Sequence, residues 1–189
     1  MYNVILHFIV KTGKLGLWVL VPLFLISNTG VADELPFAPI ENGDYRLSAT
    51  GAFDKILTGH IVFDKKVYSV SGGKQLVRIE LKLDQNEATT DHSMGFLLAK
   101  HTDNPDDLKG NYEVSPKAAG LSANSEGAFG FADINALGEQ PFFADYGFVH
   151  ISAFDDKLLH GDLNITLRNF EGKTIEISGS FIAQEVSEY

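Results

Sequence analysis

The stretch that decides the fold class of this chain is residues 76–83, which reads LVRIELKL. Apolar and charged side chains alternate along it without a break, with Val77, Ile79, Leu81 and Leu83 set against Arg78, Glu80 and Lys82. Successive side chains of a β-strand point to opposite faces, so strict alternation is typical of a strand with one buried and one wet face. The stretch therefore predicts a half-buried antiparallel strand.

The same alternation recurs towards the C-terminus. Residues 163–168 and residues 175–181 carry apolar side chains at every second position, and residues 169–173 between them hold Asn, Glu and Gly. This order predicts a β-hairpin. Further short runs that favour strands lie between turn-forming residues, at 45–49, 56–63, 93–100, 111–115, 128–134 and 142–154.

No window of the chain shows the period of a convincing amphipathic helix. The spacing of strands and turns predicts an all-β fold, a single antiparallel β-sandwich of about nine strands over residues 44–189. A lipocalin-like β-barrel is the alternative architecture. We find no internal repeat and no second domain.

The first 32 residues contain no Asp or Glu, and their only charged side chains are Lys11 and Lys14. An apolar run at residues 15–26 follows, and Gly30 and Ala32 supply the small residues that signal peptidase reads before a cleavage point. Residues 1–32 are therefore predicted to be a signal peptide and residues 33–43 an extended lead-in. The alternative is an uncleaved membrane anchor formed by residues 4–26.

Charge and composition narrow the partners and the location. Removing residues 1–32 takes away two lysines and no acid, which leaves 13 basic and 25 acidic side chains and a net charge of −12. Nucleic acids and anionic membranes bind proteins through a basic face, so we expect neither as a partner of this acidic domain. We expect membrane association only if residues 4–26 remain as an anchor. The chain has no Cys, and we expect an exported bacterial protein, periplasmic or secreted, that is stabilised without disulfides.

Three segments carry a resemblance: residues 161–167 (GDLNITL), 177–181 (ISGSF) and 110–115 (GNYEVS). In these segments the chain resembles small exported bacterial β-sandwich domains of uncharacterised function. The resemblance covers about half of residues 33–189. Many of those domains are lipoproteins, whereas this chain has no cysteine to acylate. The resemblance implies an exported sandwich and adds no catalytic residue.

Phenylalanines crowd one third of the chain and are the candidate ligand-binding residues: Phe129, Phe131, Phe142, Phe143 and Phe148. In a barrel they would line an apolar ligand cavity, and otherwise they fill the core. Phe142 and Phe143 are adjacent and so point to opposite faces of a strand. One of the two is therefore expected to be exposed and available to a partner.

Acidic residues in one turn are the candidate metal ligands. Asp103, Asp106 and Asp107 supply oxygens of the kind that Ca²⁺ prefers, although Asp and Asn before Pro also make a turn without any ion. His92 and His101 are nine residues apart, about 30 Å along a straight strand, so they cannot share one ion. A calcium ion is the one cofactor that we consider, and no cofactor is the simpler expectation.

We find no G-x-S-x-G and no H-E-x-x-H. The sequence therefore predicts an exported non-enzymatic module that binds or scaffolds, with a protein, a glycan or a small apolar molecule as its partner. A lipocalin-like carrier of a small apolar ligand is the alternative. A hydrolase that uses histidine and carboxylate side chains ranks third.

Overall fold

A computed structural model describes residues 39–70, 72–84, 91–114, 126–138, 140–155 and 157–186. The predicted signal segment, residues 1–32, lies outside them. The described residues form nine strands: β1 (Asp44–Gly51), β2 (Lys55–Ser69), β3 (Gln75–Asp84), β4 (His92–Thr102), β5 (Gly110–Glu113), β6 (Gly127–Ile134), β7 (Phe142–Asp155), β8 (Leu158–Arg168) and β9 (Thr174–Glu185).

Eight of these strands close a barrel. Antiparallel pairing runs in the order β7-β6-β4-β3-β2-β1-β9-β8, and β8 pairs with β7 again to complete the ring. Two short parallel contacts among the described residues depart from the antiparallel pattern, one between β2 and β9 at Val62 and Phe63 and one between Val114 and Ala128. The all-β class and the nine strands are confirmed. The expected sandwich is wrong, because the pairing of β1 with β9 and of β7 with β8 joins every strand into one sheet instead of two.

The ninth strand, β5, lies beside β6 along the same edge of β7. Strand β6 pairs with the start of β7 at Phe142 and Phe143, and β5 pairs with residues 148–151 further along it. The hydroxyl of Tyr112 in β5 donates a hydrogen bond to the carbonyl of Leu108 at 2.7 Å. Both side chains are buried, so β5 and the segment before it add to the barrel core.

Alternate residues of the strands fill the barrel. An eight-stranded barrel has a lumen just wide enough for its inward side chains. Residues 76–83 behave as their pattern predicts, since the apolar positions are at most 2% exposed. The large side chains that are almost fully buried include Tyr45, Leu47, Phe63, Leu81, Phe96, Phe142 and Phe181.

Glycines make room for some of these rings. Phe96 of β4 lies directly across from Gly130 of β6, and Phe181 of β9 lies across from Gly161 of β8. A Cβ atom at either glycine would lie within 2.6 Å of the facing ring, closer than real Cβ atoms approach other groups. Each ring therefore occupies the space that a side chain at the facing position would fill, and only glycine leaves this space free.

Among the described residues the helical structure is a single 3-10 turn at Asn135–Leu137. No helix there is long and apolar enough to cross a membrane.

Candidate functional site

The candidate site is a groove on the outer wall of the barrel, across β3, β4 and β6. Its volume is about 300 Å³. Outward side chains from three neighbouring strands line it: Glu80, Lys82 and Asp84 from β3, Ser93, Gly95 and Leu97 from β4, and Phe129 and Phe131 from β6. The strand register sets these residues in rows, because Lys82, Gly95 and Phe131 are successive cross-strand partners.

Gly95 is the floor of the groove. It has no side chain, and the ring of Phe131 leans over it from β6. A Cβ at Gly95 would lie 2.7 Å from Cε1 of Phe131, closer than Cβ atoms approach other groups. The depression exists because a glycine and a large aromatic ring face each other across two strands.

This outer pair repeats the inner arrangement of Phe96 over Gly130 on the opposite face of the same two strands. Inside the barrel such a pair is explained by packing, because a narrow lumen must find space for each ring. Outside the barrel there is no lumen to fill, and Phe131 remains 40% exposed. The outer pair therefore shapes a surface without adding to the core.

The groove has an apolar side and a charged side. Leu97 and Phe129 are half-buried neighbours across β4 and β6. On β3, the ammonium of Lys82 lies 3.6 Å from a carboxylate oxygen of Glu80, and Asp84 is exposed. Such a surface can stack a flat or apolar group on one side and contact polar groups on the other.

The structure brings two of the five predicted ligand-binding phenylalanines, Phe129 and Phe131, into the groove. Phe142 is buried inside the barrel, whereas Phe143 lies on the outer wall. Phe148 is also on the outer wall, away from the groove on β7, and is 37% exposed. These positions differ from the lining of an internal cavity, and a ligand role for the five residues stays a prediction.

The predicted calcium ligands contact lysines. Asp106 lies 3.0 Å from Nζ of Lys65, and Asp107 lies 3.5 Å from Nζ of Lys100. Asp103 is exposed. In the described ranges no three His, Cys, Asp or Glu side chains are grouped so that they could hold a metal ion. Calcium binding stays a prediction.

Among the described residues, histidine–carboxylate pairs occur at three separate places on the barrel. His60 bonds Asp44 at 2.8 Å, His101 bonds Glu126 at 3.0 Å, and His160 approaches Asp155 to 3.6 Å. The backbone N–H and the ring of His101 both bond Glu126 and lower the pKa of that carboxyl. Each pair consists of two residues on its own part of the wall, which is not the convergence that a nucleophilic triad requires.

A buried polar pair lies inside the barrel at Tyr45 and His92. The Tyr45 hydroxyl is 2.6 Å from Nε2 of His92, while Nδ1 of His92 has no hydrogen-bond partner among the described residues. Burial lowers the pKa of His92, and the charge of Lys55 lowers it further. Burial also raises the pKa of Tyr45, with a smaller contribution from Asp84. The pair is therefore held neutral in the core.

Fold and site together define a closed, filled β-barrel with a small aromatic groove on its outer wall. No protein-family model, no curated protein and no solved structure matches this chain.

Gly95 is the residue that the sequence analysis missed. A single glycine inside the apolar run at residues 93–100 is a recognised sign that another group approaches the backbone closely. The identity of the approaching group, however, depends on the register between β4 and β6. That register could not be predicted, because β5 lies between the two strands in the sequence.

Proposed function

We propose that this protein is an exported, non-enzymatic binding module that holds a small ring-bearing ligand in the groove over Gly95. The observation that carries the proposal is the ring of Phe131 standing over a glycine on the outer wall, 40% exposed, where packing does not require it. Export rests on the predicted signal segment at residues 1–32.

The outer groove supports this proposal better than the lumen does. A lipocalin-like carrier holds its ligand inside the barrel, and here the inward positions carry side chains such as Leu47, Phe63 and Leu81, which are all fully buried. A ligand inside would have to displace close-packed apolar groups. On the outer wall, the groove is already present.

A catalytic role has less support. The histidine–carboxylate pairs are dispersed over the barrel, and the groove itself holds no histidine among its described residues. The groove supplies aromatic faces, two carboxylates, an ammonium and a hydroxyl, a set that suits recognition.

The test is a ligand-observed NMR screen of small ring compounds against the wild type, Gly95→Val and Thr50→Val. Valine at position 95 fills the floor of the groove, whereas Thr50 is exposed on β1, away from it. The NMR spectrum of each variant checks that it folds. We expect compounds that bind the wild type and Thr50→Val to bind Gly95→Val at least about tenfold more weakly. Equal binding to all three proteins would overturn the proposal.

A further inference from the structure

The groove is acidic at one end and apolar at the other. Across β3, β4 and β6, Asp84, Ser93 and Asp133 are successive cross-strand partners and form one row. Asp84 and Ser93 line the groove, and Asp133 lies beside Ser93 just beyond the lining. Two rows further along the strands, Leu97 and Phe129 are partners. Neighbouring strands are about 4.8 Å apart, so the two aspartates stand about 10 Å from each other with the serine between them.

The charge at the acidic end is not balanced within the groove. Among the described residues that line it, Lys82 is the one cation, and its ammonium is held 3.6 Å from Glu80, two residues before Lys82 on β3, whereas Asp84 lies two residues after it. Asp84 and Asp133 are exposed, and neither forms an ion pair with another described residue. The row therefore presents two carboxylates and a hydroxyl, all of which can accept hydrogen bonds.

We infer that the ligand of the groove is a small amphipathic cation, an inference that rests on the binding function proposed above. Its ammonium or guanidinium group lies at Asp84 and Asp133, and its ring or hydrocarbon body lies over Gly95. An exposed aromatic face such as that of Phe131 also attracts a cation. The net charge of −12 on residues 33–189 favours the approach of cations over anions.

The probes are benzylamine, benzyl alcohol and benzoate, which share a ring and differ in charge at pH 7. Each is titrated into the purified protein at low salt while backbone amide shifts are followed by NMR. Ligands of this size reach dissociation constants on the order of 1 mM. We expect shifts at Ser93, Gly95 and Phe131, with benzylamine binding about three- to tenfold more tightly than benzyl alcohol and benzoate the weakest.

Two further measurements isolate the charge. The double variant Asp84→Asn/Asp133→Asn removes both carboxylates with little change in shape, and Glu176→Gln on β9 is the matched control at an exposed acid outside the groove. We expect the preference for benzylamine over benzyl alcohol to vanish in the double variant and persist in the control. In the wild type, raising the salt concentration from about 0.02 M to about 0.5 M is expected to reduce the preference for benzylamine over benzyl alcohol.

The outcomes separate this inference from the proposed function. If benzyl alcohol binds in the groove as tightly as benzylamine, the cationic ligand is refuted and the groove remains a binding site. If the preference survives in the double variant, the assignment to Asp84 and Asp133 is refuted. If none of the three probes shifts Gly95 and its neighbours, both the inference and the proposed function fail.

Discussion

The two glycine–aromatic pairs on β4 and β6 lead to a direct comparison of stability. Gly130→Ala places a methyl group 2.6 Å from Cε1 of Phe96, and Gly95→Ala places one 2.7 Å from Cε1 of Phe131. Ordinary contact begins at 3.4 Å, so the ring of Phe131 must retreat by 0.7 Å, and the ring of Phe96 must retreat further because its Cδ1 atom lies even closer than Cε1. Both methyl groups overlap the facing ring, but the two rings differ in their freedom to move, because Phe96 is 1% exposed and Phe131 is 40% exposed.

We expect Gly130→Ala to lower the free energy of unfolding by about 2–3 kcal/mol, because Phe96 can move only by disturbing a filled core. Gly95→Ala is expected to change it by less than about 1 kcal/mol, since Phe131 can swing into solvent and alanine has the lower entropy cost in a strand. For a domain of this size, the first loss corresponds to a fall in Tm of about 6–9 °C.

Urea and thermal unfolding, followed by circular dichroism on both variants and the wild type, measure the difference. Equal losses in the two variants would refute the assignment of one ring to the core and the other to the surface. If Gly95→Ala were destabilised and Gly130→Ala were not, the assignment of the inner and outer faces of β4 and β6 would have to be reversed.

Three further predictions concern the barrel interior and its backbone. Tyr45→Phe should cost about 1–3 kcal/mol in urea unfolding, since it leaves Nε2 of the buried His92 without its partner; a change under about 0.5 kcal/mol would contradict the bond. Because the folded state lowers the pKa of His92, the unfolded state binds the proton first. Stability that is present above a pH of about 6.5 should therefore fall as the pH drops towards 5, and His92→Leu should flatten this dependence; an unchanged dependence in His92→Leu would contradict the assignment. Gly147→Ala should lower the free energy of unfolding by about 3 kcal/mol or more in thermal unfolding, because φ of Gly147 is +120° and a Cβ would lie 2.8 Å from Cα of Ile165. Gly172→Ala should lower it by about 1 kcal/mol, because Gly172 has a φ of +83° but open space around it; equal losses in the two variants would contradict the close approach at Gly147.

Local alternation was sufficient to predict the strands. The C-terminal hairpin is present as β8 and β9, and its turn is closed by Asn169, whose side-chain oxygen accepts hydrogen bonds from the backbone of Glu171 and Lys173. Each of the nine predicted runs overlaps one strand. These features depend on residues that are close in sequence, and the period-two pattern records them directly.

Closure of the sheet could not be predicted in the same way. The pairing of β1 with β9 joins Tyr45 to Phe181, residues that are far apart in the sequence. A sandwich and a barrel bury alternate residues equally well, so the pattern at residues 76–83 favours neither. The choice depends on whether every edge strand finds a partner, which is a property of the whole ring.

The candidate site was predicted in part. The crowding of phenylalanines drew attention to Phe129 and Phe131, which do line the groove. Their outward direction, and the glycine beneath Phe131, depend on how β6 aligns with β4. A shift of one residue in that register would turn both rings into the core and leave no groove.

The most direct test of a filled barrel that binds its ligand on the outside is to locate a bound ring compound by its intermolecular nuclear Overhauser contacts. We predict contacts from the ligand protons to the rings of Phe129 and Phe131. Contacts to interior side chains such as Leu47 and Phe63 would contradict the account and place the ligand inside the barrel.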